Sequence, residues 1–227
     1  MTINVLTLFP EMFDSLKSSV IGRALEEGTV TLNIVNIRDY STDKHLKCDD
    51  YPYGGGAGMV MTPQPIYDAI NAVDPNHKCR RIYTSPKGST LTSEKARELS
   101  VGKDILILCG HYEGIDQRVI DLCIDEELSI GDYVLTGGEL AAMVTVDALM
   151  RFIPGVLGSS ESALDESFSD GCLEYPQYTR PRVFMGLEVP EVLVSGHHEN
   201  VEKWRREQAK ELTVLRRPDL SGGKKTY

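Results

Sequence analysis

The 227-residue chain is 41% apolar and 26% charged, with a net charge of −10. That is enough apolar chain to bury a core as one large domain, or as a medium domain with a small one, and it excludes global disorder and fibrous classes. The acidic balance argues against a non-specific nucleic-acid coat protein, but it conceals a split: residues 176–227 carry +3 and the first 175 carry −13, a pattern that points to two units with different partners.

From the amino terminus, Ile3–Phe9 is β-branched and apolar and reads as a strand. Pro10 breaks it, and apolar spacing at Met12, Leu16, Val20 and Leu25 predicts a helix over 11–27. Further strands are predicted at 30–37, 81–84 and 105–109, with helices at 63–73 and 92–100. Val-, Ile- and Leu-rich strands alternating with helices predict an α/β fold around a largely parallel sheet. Residues 137–151 read as a helix with Leu140, Val144 and Ala148 in its apolar row. Asp147 and Arg151 lie close to the same row, either as an i,i+4 salt bridge on an exposed face or as a charged pair at a pocket. Residues 158–171 have the Ser-, Gly- and acid-rich composition of a linker. Beyond it, 200–217 reads as a helix with Val201, Trp204, Leu212 and Leu215 on a docking face and Lys203, Arg206, Lys210 and Arg217 on the other. A cationic stripe of this kind is ordinarily a solvated face.

Residues 1–9 carry no basic residue ahead of an apolar stretch, so no secretory signal is expected, and no apolar run is long enough to cross a bilayer. Five cysteines form no C-x-x-C pair and fit reduced thiols in a cytoplasm. The five histidines offer no zinc-site spacing.

Residues 53–59 (YGGGAGM) are the densest glycine cluster. They lack the Lys-Ser/Thr of a phosphate loop, and they do not follow a strand as a dinucleotide fingerprint would, which disfavours an oxidoreductase. Glycine clusters are most often turns, and functionally they let a backbone approach a planar base or a phosphate, which nominates Gly55 and Gly56. Three segments fall at predicted strand ends: 83–86 (YTSP), 110–114 (GHYEG) and 129–139 (SIGDYVLTGGE). In an open α/β sheet, loops at the carboxyl ends of strands form the ligand site, so together they make a plausible nucleotide pocket.

The segments GGGAGMVM, GHYEGIDQRV, SIGDYVLTGGELAAMV, RFIPGVLG, LEYPQYTRPRVF, VPEVLVSGHH and WRREQ, in this order, resemble the bacterial tRNA (guanine-37-N(1))-methyltransferases, the TrmD family of the SPOUT class, from Ile3 to about Leu220. The resemblance implies an α/β domain with a deep trefoil knot over 1–157, a flexible linker over 158–171, and a small helical tRNA-contacting domain over 172–227. The knot is implied by the resemblance alone, since general topology rules disfavour it. It also implies a homodimer with active sites at the subunit interface, S-adenosylmethionine as methyl donor, the tRNA anticodon stem-loop as partner, and no membrane. The donor pocket is carried over to Tyr83, Thr84, Ser85 and Pro86, to Gly110, Tyr112, Glu113 and Gly114, and to Ser129, Ile130, Gly131, Asp132, Tyr133, Val134 and Leu135 with Gly137 and Gly138. Magnesium dependence is implied too, and no carboxylate cluster in the sequence supplies a site for it.

Methylating a guanine at ring N1 requires a general base for its proton and a cation for the charge that grows on the neighbouring carbonyl oxygen. The resemblance assigns the cation to Arg151, and Asp147, one helical turn before it, is then expected to orient it. It assigns the base to an Asp directly before Ser-Phe, and here the chain departs: the segment is Asp165-Glu166-Ser167-Phe168, so ungapped alignment puts Glu166 at the base position and leaves Asp165 as competitor. In the tail, Tyr178, Arg180 and Arg182, with Lys203 and Arg206, are the expected tRNA contacts. Two other functions are separable by experiment: another SPOUT methyltransferase, acting on ribose, would give a different tRNA product. A non-catalytic RNA-binding module would have no reason to retain Arg151 and both candidate bases, all of which are present.

Overall fold

The computed structural model describes residues 1–157, 167–168 and 171–220. The chain divides into two compact units, Met1–Gly158 and Ser159–Tyr227.

In chain order the first unit contains β1 (Thr2–Thr7), α1 (Ser19–Glu26), β2 (Thr31–Asn36), β3 (Asp49–Asp50), β4 (Val60–Met61), α2 (Pro63–Val73), β5 (Arg80–Thr90), α3 (Ser93–Leu99), β6 (Ile105–Cys109), α4 (Gln117–Cys123), β7 (Glu126–Ser129) and α5 (Glu139–Met150). The five long strands form one all-parallel sheet in the order β2-β1-β6-β5-β7. Parallel sheets are covered on both faces, and β6, ILILC, is accordingly buried at every residue. One face packs α1, α3 and α5 around Ile3, Ile82, Ile107 and Leu149. The other packs α2 and α4 around Leu6, Ile66, Leu106 and Leu108. The short antiparallel pair β3–β4 closes the glycine-rich loop between them.

The expected helix over 11–27 is two pieces: a 3-10 helix, Pro10–Lys17, and then α1, separated where Ser19 takes a φ of 64°. Pro10 starts the first piece, and the break turns Phe13, Leu16 and Ala24 inward while Met12 and Val20 stay exposed. The expected apolar row of α5 also faces outward. Leu140 and Val144 are each 47% exposed, and the helix buries Ala142, Val146, Leu149 and Met150 instead. Small and branched apolar residues occupy nearly the whole circumference of α5, so periodicity cannot tell its core face from its open one.

β5 runs well beyond the predicted 81–84. After an irregularity between Thr84 and Ser89 it re-pairs with β7 at Leu128 and Ser129. This second contact is so close that a Cβ at Gly88 would lie 2.2 Å from the Glu127 carbonyl carbon. At the amino end of the same strand, buried Arg81 donates from Nε to buried Asp74 at 2.9 Å and from Nη2 to the Asp74 carbonyl at 2.6 Å.

The second unit contains a hairpin, β8 (Val183–Phe184) and β9 (Leu187–Glu188), then α6 (Glu191–Val194) and α7 (His198–Arg216), with a short 3-10 turn, Pro218–Leu220, after it. Val201, Trp204 and Leu212 of α7 are partly buried as expected, and Thr213, which accepts the Leu173 amide at 2.8 Å, is buried beside them. Leu215 departs from the expectation at 78% exposed. It lies in the last turn, beyond the reach of the segment that covers the rest of the face. Arg217 is paired with Asp219 at 2.7 Å and lies over Phe168, so it is not part of an open cationic stripe.

Candidate active site

Parallel strands deliver their following loops to one edge of the sheet, and here the loops after β5, β6 and β7 enclose a cavity of about 200 Å³. The first loop supplies Tyr83, Thr84, Ser85 and Pro86. The second supplies Gly110, Tyr112, Glu113 and Gly114, and the third supplies Ser129, Ile130, Gly131, Tyr133, Val134 and Leu135, then Gly137 and Gly138. Asp132, expected among them, does not line the cavity. It is an exposed residue in the arch between Gly131 and Tyr133, where the backbone turns its side chain to solvent. His111, Leu128, Thr136 and Ala141 do line it and were not nominated. His111 and Thr136 stand inside the quoted motifs, whereas Leu128 and Ala141 look like ordinary core residues in sequence.

At Gly110 and Gly138 nothing larger fits. The amide of Gly138 donates to the Gly110 carbonyl at 2.8 Å, and the Thr84 hydroxyl bridges the carbonyls of Leu108 and Gly138. A Cβ on Gly138 would stand 2.3 Å from Thr84 Oγ1, and one on Gly110 would stand 2.7 Å from the Tyr83 hydroxyl. Residues 137–138 are thereby pressed against the ends of β5 and β6. Glu139, 2% exposed, anchors the start of α5 by accepting the Thr7 hydroxyl at 2.8 Å. His111 packs against Phe9 and Tyr112, and its buried Nδ1 has no hydrogen-bond partner among the described residues. Burial, reinforced by the nearby Glu127, pushes the Tyr83 phenol up to about 12, so it stays a neutral donor at physiological pH.

The glycine-rich loop reaches the site from the side. The Glu113 amide donates to the Met59 carbonyl and the Met61 amide to the Gly114 carbonyl, both at 3.0 Å. Gly58, at φ 79°, lies so close to Glu113 that a Cβ would meet its carboxylate at 2.5 Å. Gly55 and Gly56 are exposed in the same loop, with positive φ, and do not line the cavity.

The electrostatics of the lining are selective. It contains no Lys or Arg, and Glu113 is its sole carboxylate. A phosphate would find no cation there, whereas a planar heterocycle can be read by backbone amides and carbonyls while a cationic group meets Glu113. Among the described residues no group of three or more His, Cys, Asp or Glu side chains could hold a metal ion.

Arg151 is not at this cavity. It caps the carboxyl end of α5, exposed, while the amino end of α5 abuts the cavity. Twelve residues of helix separate the two ends, about 18 Å at the standard rise. Asp147 is exposed and forms no ion pair with Arg151 among the described residues. Glu166 and Asp165 lie outside the described residues. Tyr178 and Arg180 line a separate cavity in the second unit, whereas Lys203 and Arg206 project from α7 and do not line it. No helix among the described residues is long and apolar enough to cross a membrane.

A family model described as tRNA (Guanine-1)-methyltransferase TrmD matches residues 1–223. Curated relatives cover nearly the whole chain. The tRNA (guanine-N(1)-)-methyltransferase of Clostridium perfringens (strain ATCC 13124) is 60% identical over 97% of this chain and 93% of its own length. Those of Caldanaerobacter subterraneus subsp. tengcongensis and Clostridium novyi (strain NT) are 58% and 57% identical, each over 97% of this chain and 91% of their own. The chain belongs to the TrmD family of tRNA (guanine-1)-methyltransferases.

Proposed function

We propose that this chain methylates N1 of guanine 37 in tRNA, beside the anticodon, with S-adenosylmethionine as donor, acting as a homodimer in the cytoplasm. The observation that carries this reading is the lining of the first cavity: close-packed glycines at 110 and 138, no cation for phosphate, and one carboxylate for a sulfonium or ammonium group. S-adenosylmethionine fits that chemistry and supplies an electrophilic methyl group. The residues that would hold it are those of the three strand-end loops. The knot belongs to the same proposal, and the pressing of residues 137–138 against the ends of both β5 and β6 supports it.

The chemistry assigned to the chain's own residues is proton removal and charge stabilisation. The carboxylate of Glu166, or of its competitor Asp165, takes the N1 proton, and the freed lone pair on N1 forms the new carbon–nitrogen bond. The electron pair of the broken carbon–sulfur bond stays on sulfur. Charge that accumulates on the guanine carbonyl oxygen is met by Arg151. No step is assigned to magnesium, because the described residues present no ligand set for it.

The length of α5 supports the homodimer: it separates the cavity of one copy from that copy's own Arg151, and a second copy would bring its Arg151 to the reacting guanine. The face for such contact is at hand: Leu140, Val144, Asp147 and Arg151 form one exposed strip on α5, and Met12 and Val20, on neighbouring segments, are exposed as well. Contiguous exposed apolar residues rimmed by charge are the mark of a protein interface. tRNA contacts are assigned to Gly55, Gly56, Tyr178, Arg180, Lys203 and Arg206.

Product analysis tests the reaction. Incubation with S-adenosylmethionine and tRNA, digestion to nucleosides and mass spectrometry should yield 1-methylguanosine. A ribose-methylated nucleoside instead would assign the chain a different SPOUT chemistry, and no methylated product would remove the enzymatic reading.

A further inference from the structure

The second unit holds a cavity of its own, about 440 Å³, between residues 175–182, α6 and α7. Its walls carry Tyr175, Tyr178, Arg180, Arg182 and Arg205 over an apolar floor that includes Leu193, and none of its lining residues is acidic. Arg180 and Arg182 make no ion pair with any described residue, and Arg205 lies over the Tyr175 ring at 4.8 Å. Tyr178 is 48% exposed and meets Trp204 in a tilted contact at 6.2 Å, so the ring is braced while much of its surface stays open.

The contrast with α7 is informative. Two cations of its expected stripe are compensated: Lys203 faces Glu207 at 4.0 Å and Arg206 faces Glu202 at 3.6 Å, each one helical turn away. Lys210 and Arg216 stand apart from the cavity on the exposed helix, whereas Arg180, Arg182 and Arg205, none of them in an ion pair with a described residue, converge on it. Planar rings, guanidinium groups and an apolar floor without a carboxylate suit a ligand with a flat heterocycle and an attached phosphate.

We infer that this cavity takes one unstacked nucleotide of the tRNA, its base against Tyr178 and its phosphates on Arg180 and Arg182. The inference rests on the tRNA reading above and goes beyond it by locating single-strand recognition in the cavity instead of along α7. A duplex buries its base faces in its own stack, so a cavity of this kind selects loops and single strands.

The test uses the full chain and a synthetic anticodon stem-loop, with a blunt duplex of equal charge as control. Tyr178→Ala should weaken stem-loop binding about 5- to 150-fold, the range for losing one base–aromatic stack, and leave duplex binding unchanged. Tyr178→Phe should restore it. Arg180→Ala and Arg182→Ala should each reduce the salt dependence of stem-loop binding by about one ion. S-adenosylmethionine binding and the thermal midpoint serve as folding controls and should match wild type. A 4-thiouridine placed in the loop should photocrosslink to the 175–182 peptide. If wild type binds the stem-loop and Tyr178→Ala binds it equally well, the nucleotide cavity is refuted while methyl transfer stands. If Tyr178→Ala changes the oligomeric mass and not RNA affinity, the occupant is protein and the inference fails. Absence of stem-loop binding and methylation in wild type would overturn the tRNA reading itself.

Discussion

The cavity at the carboxyl ends of β5, β6 and β7 and the cavity beside α7 are built from opposite chemistry. The first is lined by glycines and backbone groups fixed by a buried parallel sheet, contains no cation, and offers one carboxylate. The second is lined by tyrosines and arginines, contains no carboxylate, and sits in a unit whose sole buried residue among those described is Thr213. A rigid, cation-free cradle suits a small donor that must be held in one pose. A cationic, side-chain-built cavity suits a polyanion whose loop has to be captured from solution. The sign of the charge split along the chain, acidic first and basic last, follows the same division of labour.

The division can be broken most completely at the face that would join two copies. Val144→Asp places a charge on the exposed strip of α5, at a residue that lines neither cavity. It should halve the mass seen by sedimentation and abolish methyl transfer while each chain stays folded; an unchanged mass would place the interface elsewhere. Arg151→Ala should lower the rate by about 10²–10³ without weakening stem-loop or donor binding, because the charge it meets exists only in the transition state. Single-turnover kinetics would separate these effects.

Gly138→Ala sharpens the contrast between the cavities. The φ of −82° suits alanine, so its effect is purely steric: the added carbon meets Thr84 Oγ1 at 2.3 Å. Overpacking of this size costs about 1–3 kcal/mol, and calorimetry should show weakened S-adenosylmethionine binding with stem-loop affinity intact. Equal loss of both would mean that the two cavities are not independent.

Asp74→Asn should leave the rate nearly unchanged at low temperature, since it acts on the scaffold at the opposite edge of the sheet. It strips the buried Arg81 of its partner, at a cost of about 3–5 kcal/mol in urea unfolding. Burial pushes the Asp74 carboxyl up, but the amides of Lys78 and Cys79 and the Arg81 guanidinium outweigh it and hold it below the ordinary range. Its contribution to stability is therefore complete at pH above the unfolded carboxylate value, and is lost as pH falls through the lowered folded value. The urea midpoint of wild type should drop on acidification by more than that of Asp74→Asn.

Much of this was legible in sequence where one physical cause dominates. Parallel-sheet burial writes continuous Val, Ile and Leu runs, so the strands and their ligand-bearing ends could be read. The glycines at 110, 137 and 138 mark close backbone approach, and the cavity gathers them. The outward face of α5 was not readable, because its exposed Leu140 and Val144 are the residue types a core would also ask for. The pairing of Lys203 and Arg206 with acids one turn away is legible in sequence, because Glu207 and Glu202 stand at the required spacing. Asp132 stands in the same motif as its lining neighbours Gly131 and Tyr133, and the sequence carries no sign that its side chain is exposed instead.

The most direct test of the account is labelled-methyl transfer from S-adenosylmethionine to two tRNA transcripts that differ only in guanine or adenine at position 37, with wild type, Glu166→Gln and Asp165→Asn. The account predicts label on the guanine transcript alone, reduced about 10²–10⁴-fold by Glu166→Gln and little by Asp165→Asn. Label on neither transcript, from a protein that binds both tRNA and donor, would contradict it; loss of activity in Asp165→Asn alone would move the base by one residue and refute the assignment of Glu166.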